Sequence, residues 1–206
     1  MVQKLDYLQE TPSQTAGPYV HIGLAPGAAG FEIYKHELGW DIAGPNAKGE
    51  RIRVEGLVID GTGSPVKDVL LEAWQANSDG NYAHPEGGGD VEEGFRGWGR
   101  VITNFETGEW AFETVKPGRT QGRNVGVQAP HINLWIVARG INVGLSTRLY
   151  FEDEVEANAA DPVLNIIEWE RRRATLIAKR SERDGQIVYR FDIKLQGEDE
   201  TVFFDI

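Results

Sequence analysis

His21, His36, His84 and His131 are the only imidazoles in the chain. On a β scaffold a metal site is most simply built from two histidines one residue apart, because alternate strand residues face the same way and converge on one ion. At 131–133 the chain reads His-Ile-Asn. His131 and Asn133 share a face, but an amide is a poor transition-metal ligand beside the imidazole it would replace. Taken alone, His131 reads as a hydrogen-bonded structural histidine. A second grouping, His84 with Asp90, Glu92 or Glu93, flanks a run of three glycines, a composition that more often makes a solvated loop. Zero cysteines exclude thiolate metal sites, a disulfide framework and a cysteine nucleophile, and they fit a reducing compartment. There is no Walker loop, GxGxxG, GxSxG or HExxH, so nucleotide chemistry, serine hydrolysis of the elbow type and zincin chemistry lack support.

The elements that must position these residues read as all-β. From residue 51, short β-branched and aromatic runs alternate with turn signals, the pattern of an antiparallel β-sandwich. The runs are 51–60, 69–77, 98–105, 109–115, 131–140, 146–151, 186–196 and 201–206. In the first, Ile52, Val54, Gly56 and Val58 fall on one face. A short helical insert, expected as two helices over 161–183, precedes the last two strands. Within it, Arg171, Arg172, Arg173, Lys179, Arg180 and Arg183 offer cations for an anion, but Glu168, Glu170 and Glu182 are interleaved, favouring a solvated face. Trp74, Trp98, Trp110 and Trp135 lie on strands, where tryptophans usually pack between sheets.

Residues 1–50 carry much punctuation and little periodicity, and read as a long irregular N-terminal arm ahead of a single sandwich domain, 51–206. Tyr7, Leu8, Tyr19, Val20, Ile22, Phe31, Ile33, Tyr34 and Trp40 give the arm more apolar surface than a free tail carries, so it is expected to pack on something or to build a site. The amino-terminal residues show no apolar core behind their single Lys, and no run of about 18 apolar residues occurs, which reads as cytoplasmic. Lys plus Arg number 21 against 32 Asp plus Glu, a net charge of −11. That repels polyanions, arguing against nucleic acid.

Several long motifs, TPSQTAGPYVHIGL at the amino terminus, DVLLEAWQANSDGNY (68–82), GEWAFETVKPG (108–118), APHINLWIVARG (129–140) and TRLYF, together resemble the intradiol ring-cleavage dioxygenases, over essentially the whole chain. Within that family the resemblance is to alpha chains, which pair with a beta chain carrying non-haem Fe(III) on two tyrosinates and two histidines of an H-x-H strand. This sequence departs from the ligand pattern. Asn133 stands at the second histidine position, Arg119-Thr120 follow KPG where a tyrosine belongs, and AHPEGGGD after Tyr82 supplies no second tyrosine. Tyr82, beside Asn81 in a turn-like context, does not align with a ligand position. The resemblance therefore implies a chain with the fold and no metal of its own, with His131 and Asn133 marking the lost pair.

It further implies that Thr15, Ala16, Gly17, Pro18 and Tyr19 line the substrate pocket at the interface with the beta chain, and that Arg139 approaches an aromatic acid there. The implied reaction converts 3,4-dihydroxybenzoate and O2 to 3-carboxy-cis,cis-muconate, in a higher-order alpha-beta oligomer. Physical reasoning agrees with these roles. Gly17-Pro18 is a rigid backbone that a flat ring can approach closely, and a carboxylate entering an acidic molecule needs a local fixed cation. Arg139 also reads as a strand-end arginine paired with a surface acid. The competing function is a β-sandwich ligand-binding or scaffold module without a catalytic partner.

Overall fold

A computed structural model describes residues 14–17, 19–35, 42–87, 89–124 and 126–205. Pro18, His36, Trp40, Tyr7 and Leu8 lie outside them. In chain order the elements are α1 (Tyr19–Leu24), β1 (Arg51–Ile59), β2 (Leu70–Gln75), β3 (Trp98–Ile102), β4 (Glu109–Val115), β5 (Thr120–Gly122), β6 (Gly126–Gln128), β7 (His131–Val137), β8 (Leu145–Phe151), α2 (Val155–Ala160), a 3-10 turn (Leu164–Ile166), α3 (Glu170–Ala174), β9 (Ile177–Arg183), β10 (Gln186–Arg190) and β11 (Ile193–Lys194).

The all-β class holds, as two layers. One runs β4-β1-β10-β9 and the other β8-β7-β2-β3. A two-residue parallel pairing, Tyr150 with Ile177 and Phe151 with Ala178, joins them through β8 and β9. Period-two alternation explains the core between the layers. Ile52, Val54 and Val58 of β1 and Trp110 and Phe112 of β4 meet Leu71 and Ala73 of β2, Ile132, Leu134 and Ile136 of β7 and Leu149 of β8, all in one buried cluster.

Most pairings are antiparallel, but β1 pairs in parallel with both β10 and β11. The segment read as one strand over 186–196 breaks at Phe191-Asp192. There Asp192 Oδ1 accepts the Leu57 amide at 2.9 Å, and the Phe191 carbonyl crosses Gly56 so closely that a Cβ at Gly56 would sit 1.9 Å from its oxygen. Only glycine fits that crossing.

Three expectations are corrected. The helical insert ends at Ala174, and 177–183 is a strand, β9, laid antiparallel on β10. Of residues 201–206, read as a strand, the described ones contribute a single bridge, Phe204 to Ser146. The arm is not wholly irregular, because it carries α1. The basic run is also divided: Arg172 and Arg173 bond the carbonyls of Glu200 and Ile167, while Lys179, Arg180 and Arg183 pair with Glu152, Asp153 and Glu55. Five of the six cations are thus spread over separate carbonyls and carboxylates, and Arg171 lies over the Trp169 ring. Among the described residues no helix is long and apolar enough to cross a membrane.

Candidate functional site

Two regions at opposite ends of β7 gather the residues singled out by the sequence. At its carboxyl end, Thr15 docks on the turn after the strand. The Gly140 amide donates to Thr15 Oγ1 at 2.8 Å, and that hydroxyl donates to the Ala138 carbonyl at 3.3 Å. Thr15 thus brackets Arg139, which places the two side by side at the turn. Arg139 is 64% exposed and is held by an ion pair from its Nε to Asp68. Its surface-acid reading and its reading as a carboxylate-binding residue are compatible, since an exposed pair of this kind is worth little and is readily exchanged.

Gly17 has open space where a Cβ would stand, and Tyr19, the first residue of α1, is 79% exposed. His21 is buried behind this patch, its ring edge-on to Phe105 at 5.4 Å. Burial lowers its pKa, partly opposed by Asp68. The patch is an exposed rim with a cation and an aromatic, not a closed pocket.

The amino end of β7 builds a closed floor. His131, Asn133 and Trp135 point away from the core, opposite Ile132, Leu134 and Ile136. Register places Asn133 opposite Trp74 on β2 and opposite Arg148 on β8. His131 Nδ1 lies 2.7 Å from the Ala129 carbonyl, which assigns the proton to Nδ1 and leaves Nε2 to accept the Tyr82 hydroxyl at 3.3 Å. The Asn133 amide donates to Tyr82 Oη at 3.4 Å and to the Trp74 carbonyl at 3.3 Å. Arg148 donates to Gln128 Oε1 at 2.7 Å. The cavity above this floor holds about 690 Å3 and is roofed by the β5–β6 hairpin, Val163, Ile166 and Phe204.

Tyr82, which aligned with no ligand position, lies against His131; the reading of the tryptophans changes. Trp74 and Trp135, expected between the sheets, are 45% and 40% exposed and line the cavity with Trp98, while Trp110 alone of the four is core. Gln128 and Arg148 were missed. Alternation from the buried Leu149 could have put Arg148 on the outer face, but its neighbours depend on cross-strand register.

A ferric ion fits this donor set poorly. Burial pushes the Tyr82 phenol up, against the lowering effects of the Asn133 and Thr120 hydrogen bonds and the Arg148 charge; it is the one phenol that the donor set offers, where hard Fe(III) favours several anionic oxygens. One imidazole and one phenol remain, beside a guanidinium that would repel a cation. Among the described residues, no three His, Cys, Asp or Glu side chains converge anywhere, the His84 grouping included.

Burial, then the Arg148 charge, lowers the pKa of His131 to about 4 from an ordinary 6.5. Between those values the unfolded chain binds a proton that the folded chain refuses, so stability rises with pH through that window and falls on acidification. By pH 5 the expected loss is about 2 kcal/mol. Urea unfolding at pH 7 and pH 5 measures it, and His131→Gln should show a pH slope smaller by that amount. Equal slopes in the two proteins would remove His131 as the cause.

With fold and geometry in place, comparison with known proteins is informative. The family described as Dioxygenase matches residues 32–197, and the chain belongs to this dioxygenase family. It is 53% identical over 201 residues to the protocatechuate 3,4-dioxygenase alpha chain of Pseudomonas putida, covering 98% of both chains. It is also 36% identical over 161 residues to the protocatechuate 3,4-dioxygenase beta chain of Burkholderia cepacia, covering 74% of this chain and 67% of that one. Among solved structures, 3-chlorocatechol 1,2-dioxygenase from Rhodococcus opacus 1CP superposes with a TM-score of 0.57 at 20% identity, over 75% of this chain and 64% of that chain. That likeness concerns the fold.

Proposed function

We infer that the chain is the alpha subunit of a hetero-oligomeric protocatechuate 3,4-dioxygenase, which converts 3,4-dihydroxybenzoate and O2 to 3-carboxy-cis,cis-muconate. The observation that carries this reading is the 53% identity to an alpha chain over 98% of both lengths. Fe(III) belongs to the beta chain, and when bound there it supplies activation of the catechol toward O2. The poor donor set around His131 and Asn133 supports placing the metal on the partner.

This chain's part is to bind, orient and charge the pocket. Arg139 offers a two-pronged donor for the ring carboxylate, exchanging Asp68 for it. Thr15 fixes the arm to the Ala138–Gly140 turn beside the cation, and Gly17, Pro18 and Tyr19 are assigned to the pocket with it. The arm, 1–50, packs on the beta chain and lines its site, and the sandwich, 51–206, supports it. The exposure of Tyr19, Phe31, Ile33 and Tyr34 supports a covering partner, since exposed large apolar side chains concentrated in one segment of the chain are a feature of interfaces. A cysteine-free composition supports a cytoplasmic setting, and the alpha-beta pairs assemble into a higher oligomer.

Expressed alone, the chain is expected to hold no stoichiometric iron and to cleave nothing. Mixing with the beta chain should restore ring cleavage. Metal analysis per chain and oxygen uptake on 3,4-dihydroxybenzoate read both arms, and a full ferric site in the lone chain would overturn the assignment.

A further inference from the structure

The cavity over the amino end of β7 is distinct from the Arg139 rim and has no part in the function proposed above. Its walls are aromatic. Trp74 stands edge-on to Tyr82, ring centroids 5.5 Å apart at 71°, and Trp98 and Trp135 complete the sides. Its polar groups are few and convergent: His131 Nε2, the Tyr82 hydroxyl and the Asn133 amide at one point, and the Arg148 guanidinium next to them. This combination of apolar walls with a few fixed polar groups is that of a small-molecule site.

The charge inside is unbalanced. Arg148 bonds two neutral groups through Nη1, Gln128 Oε1 at 2.7 Å and the Tyr150 hydroxyl at 3.5 Å, and no ion pair to it forms among the described residues. Asp161 reaches Arg148 only through the Tyr150 hydroxyl, which donates to it at 3.2 Å. Glu72, the acid at the cavity wall, is committed to Arg100 at 2.6 and 3.0 Å. A guanidinium facing an aromatic-walled space, with neutral partners on one nitrogen, is a receptor for a planar anion.

We propose that this cavity is a metal-free binding site for an aromatic carboxylate, the carboxylate on Arg148 and the ring against Trp74 and its neighbouring tryptophans.

Titrating the isolated full chain with 4-hydroxybenzoate, followed by tryptophan fluorescence and calorimetry, should reveal one saturable site. Arg148→Gln is expected to weaken it about tenfold or more. On the wild-type chain, 4-hydroxybenzyl alcohol, which lacks the carboxylate, should bind weaker by a similar factor; this comparison decides the matter even if the variant does not fold. In the assembly with a beta chain, calorimetry should count two acids per alpha-beta pair, falling to one with Arg148→Gln. The proposal is overturned by the absence of saturable binding in chain and assembly, by equal affinity for acid and alcohol, or by affinity indifferent to Arg148→Gln. None of these outcomes touches the subunit assignment, which rests on iron content and reconstitution.

Discussion

Asp161→Ala should cost about 3–5 kcal/mol of stability, because it orphans four donors in a dry interior. The carboxylate is fully buried. It accepts the Ala129 amide at 2.7 Å, the Val163 and Leu164 amides at 2.9 and 2.8 Å, and the Tyr150 hydroxyl. These bonds tie the 3-10 turn, which belongs to no ladder, to the approach to β7 and to its ladder partner β8. Water cannot replace all four partners without opening the small cluster of Ala129, Tyr150, Ala157, Leu164 and Leu176 around them. For a chain of this length the loss corresponds to a fall in melting temperature of about 10 °C. Asp161→Asn keeps the shape and some acceptor capacity and should lose roughly half as much. Differential scanning calorimetry of the three proteins checks the order, and a loss below about 1 kcal/mol for alanine would mean that solvent already reaches the site.

Arg139→Ala, assembled with a beta chain, should raise KM for 3,4-dihydroxybenzoate about ten- to a hundredfold, the worth of a charge-assisted contact, and change kcat little. Ground state and transition state share the carboxylate contact, so its loss is a loss of uniform binding. The ion pair with Asp68 adds a second effect of the same sign, since truncating the arginine leaves an unpaired acid facing the incoming anion. Asp68→Asn should act in the opposite direction, freeing the guanidinium and lowering KM. Steady-state oxygen uptake measures both, and an unaltered KM in Arg139→Ala would remove this residue from the pocket.

The parts of the fold that the sequence made legible are those where one face is apolar. β1 shows Ile52, Val54, Gly56 and Val58 buried in alternation, and β4 begins and ends at the expected residues. β9 escaped because it has almost no apolar face. In IAKRSER only Ala178 is buried, and the strand is held by its ladder to β10 and by Glu152, which takes the Arg180 amide and Lys179. Cross-strand ladders leave no local trace.

The candidate site divides in the same way. Thr15 and Arg139, both named from the resemblance, meet at the turn after β7. Tyr82 and Arg148 meet His131 only because β2, β7 and β8 lie side by side. Trp74 and Trp135 were misplaced because alternation tells which residues share a face, not which face is the core; Trp135 shares its face with His131 and Asn133, and that could have been read.

The parallel ladder between β1 and β10 has a consequence for biosynthesis. Ile52 finds Ile187, and Leu57 finds Asp192, across about 135 residues. At translation rates of about 5–20 residues per second, β1 waits roughly 7–27 s for that neighbour, with β4 its one ladder partner among the described strands meanwhile. A nascent chain therefore leaves a sticky, half-paired ribbon outside the ribosome for seconds, and the yield of soluble material should respond to slowed elongation or to holdase chaperones more than to anything done at the pocket.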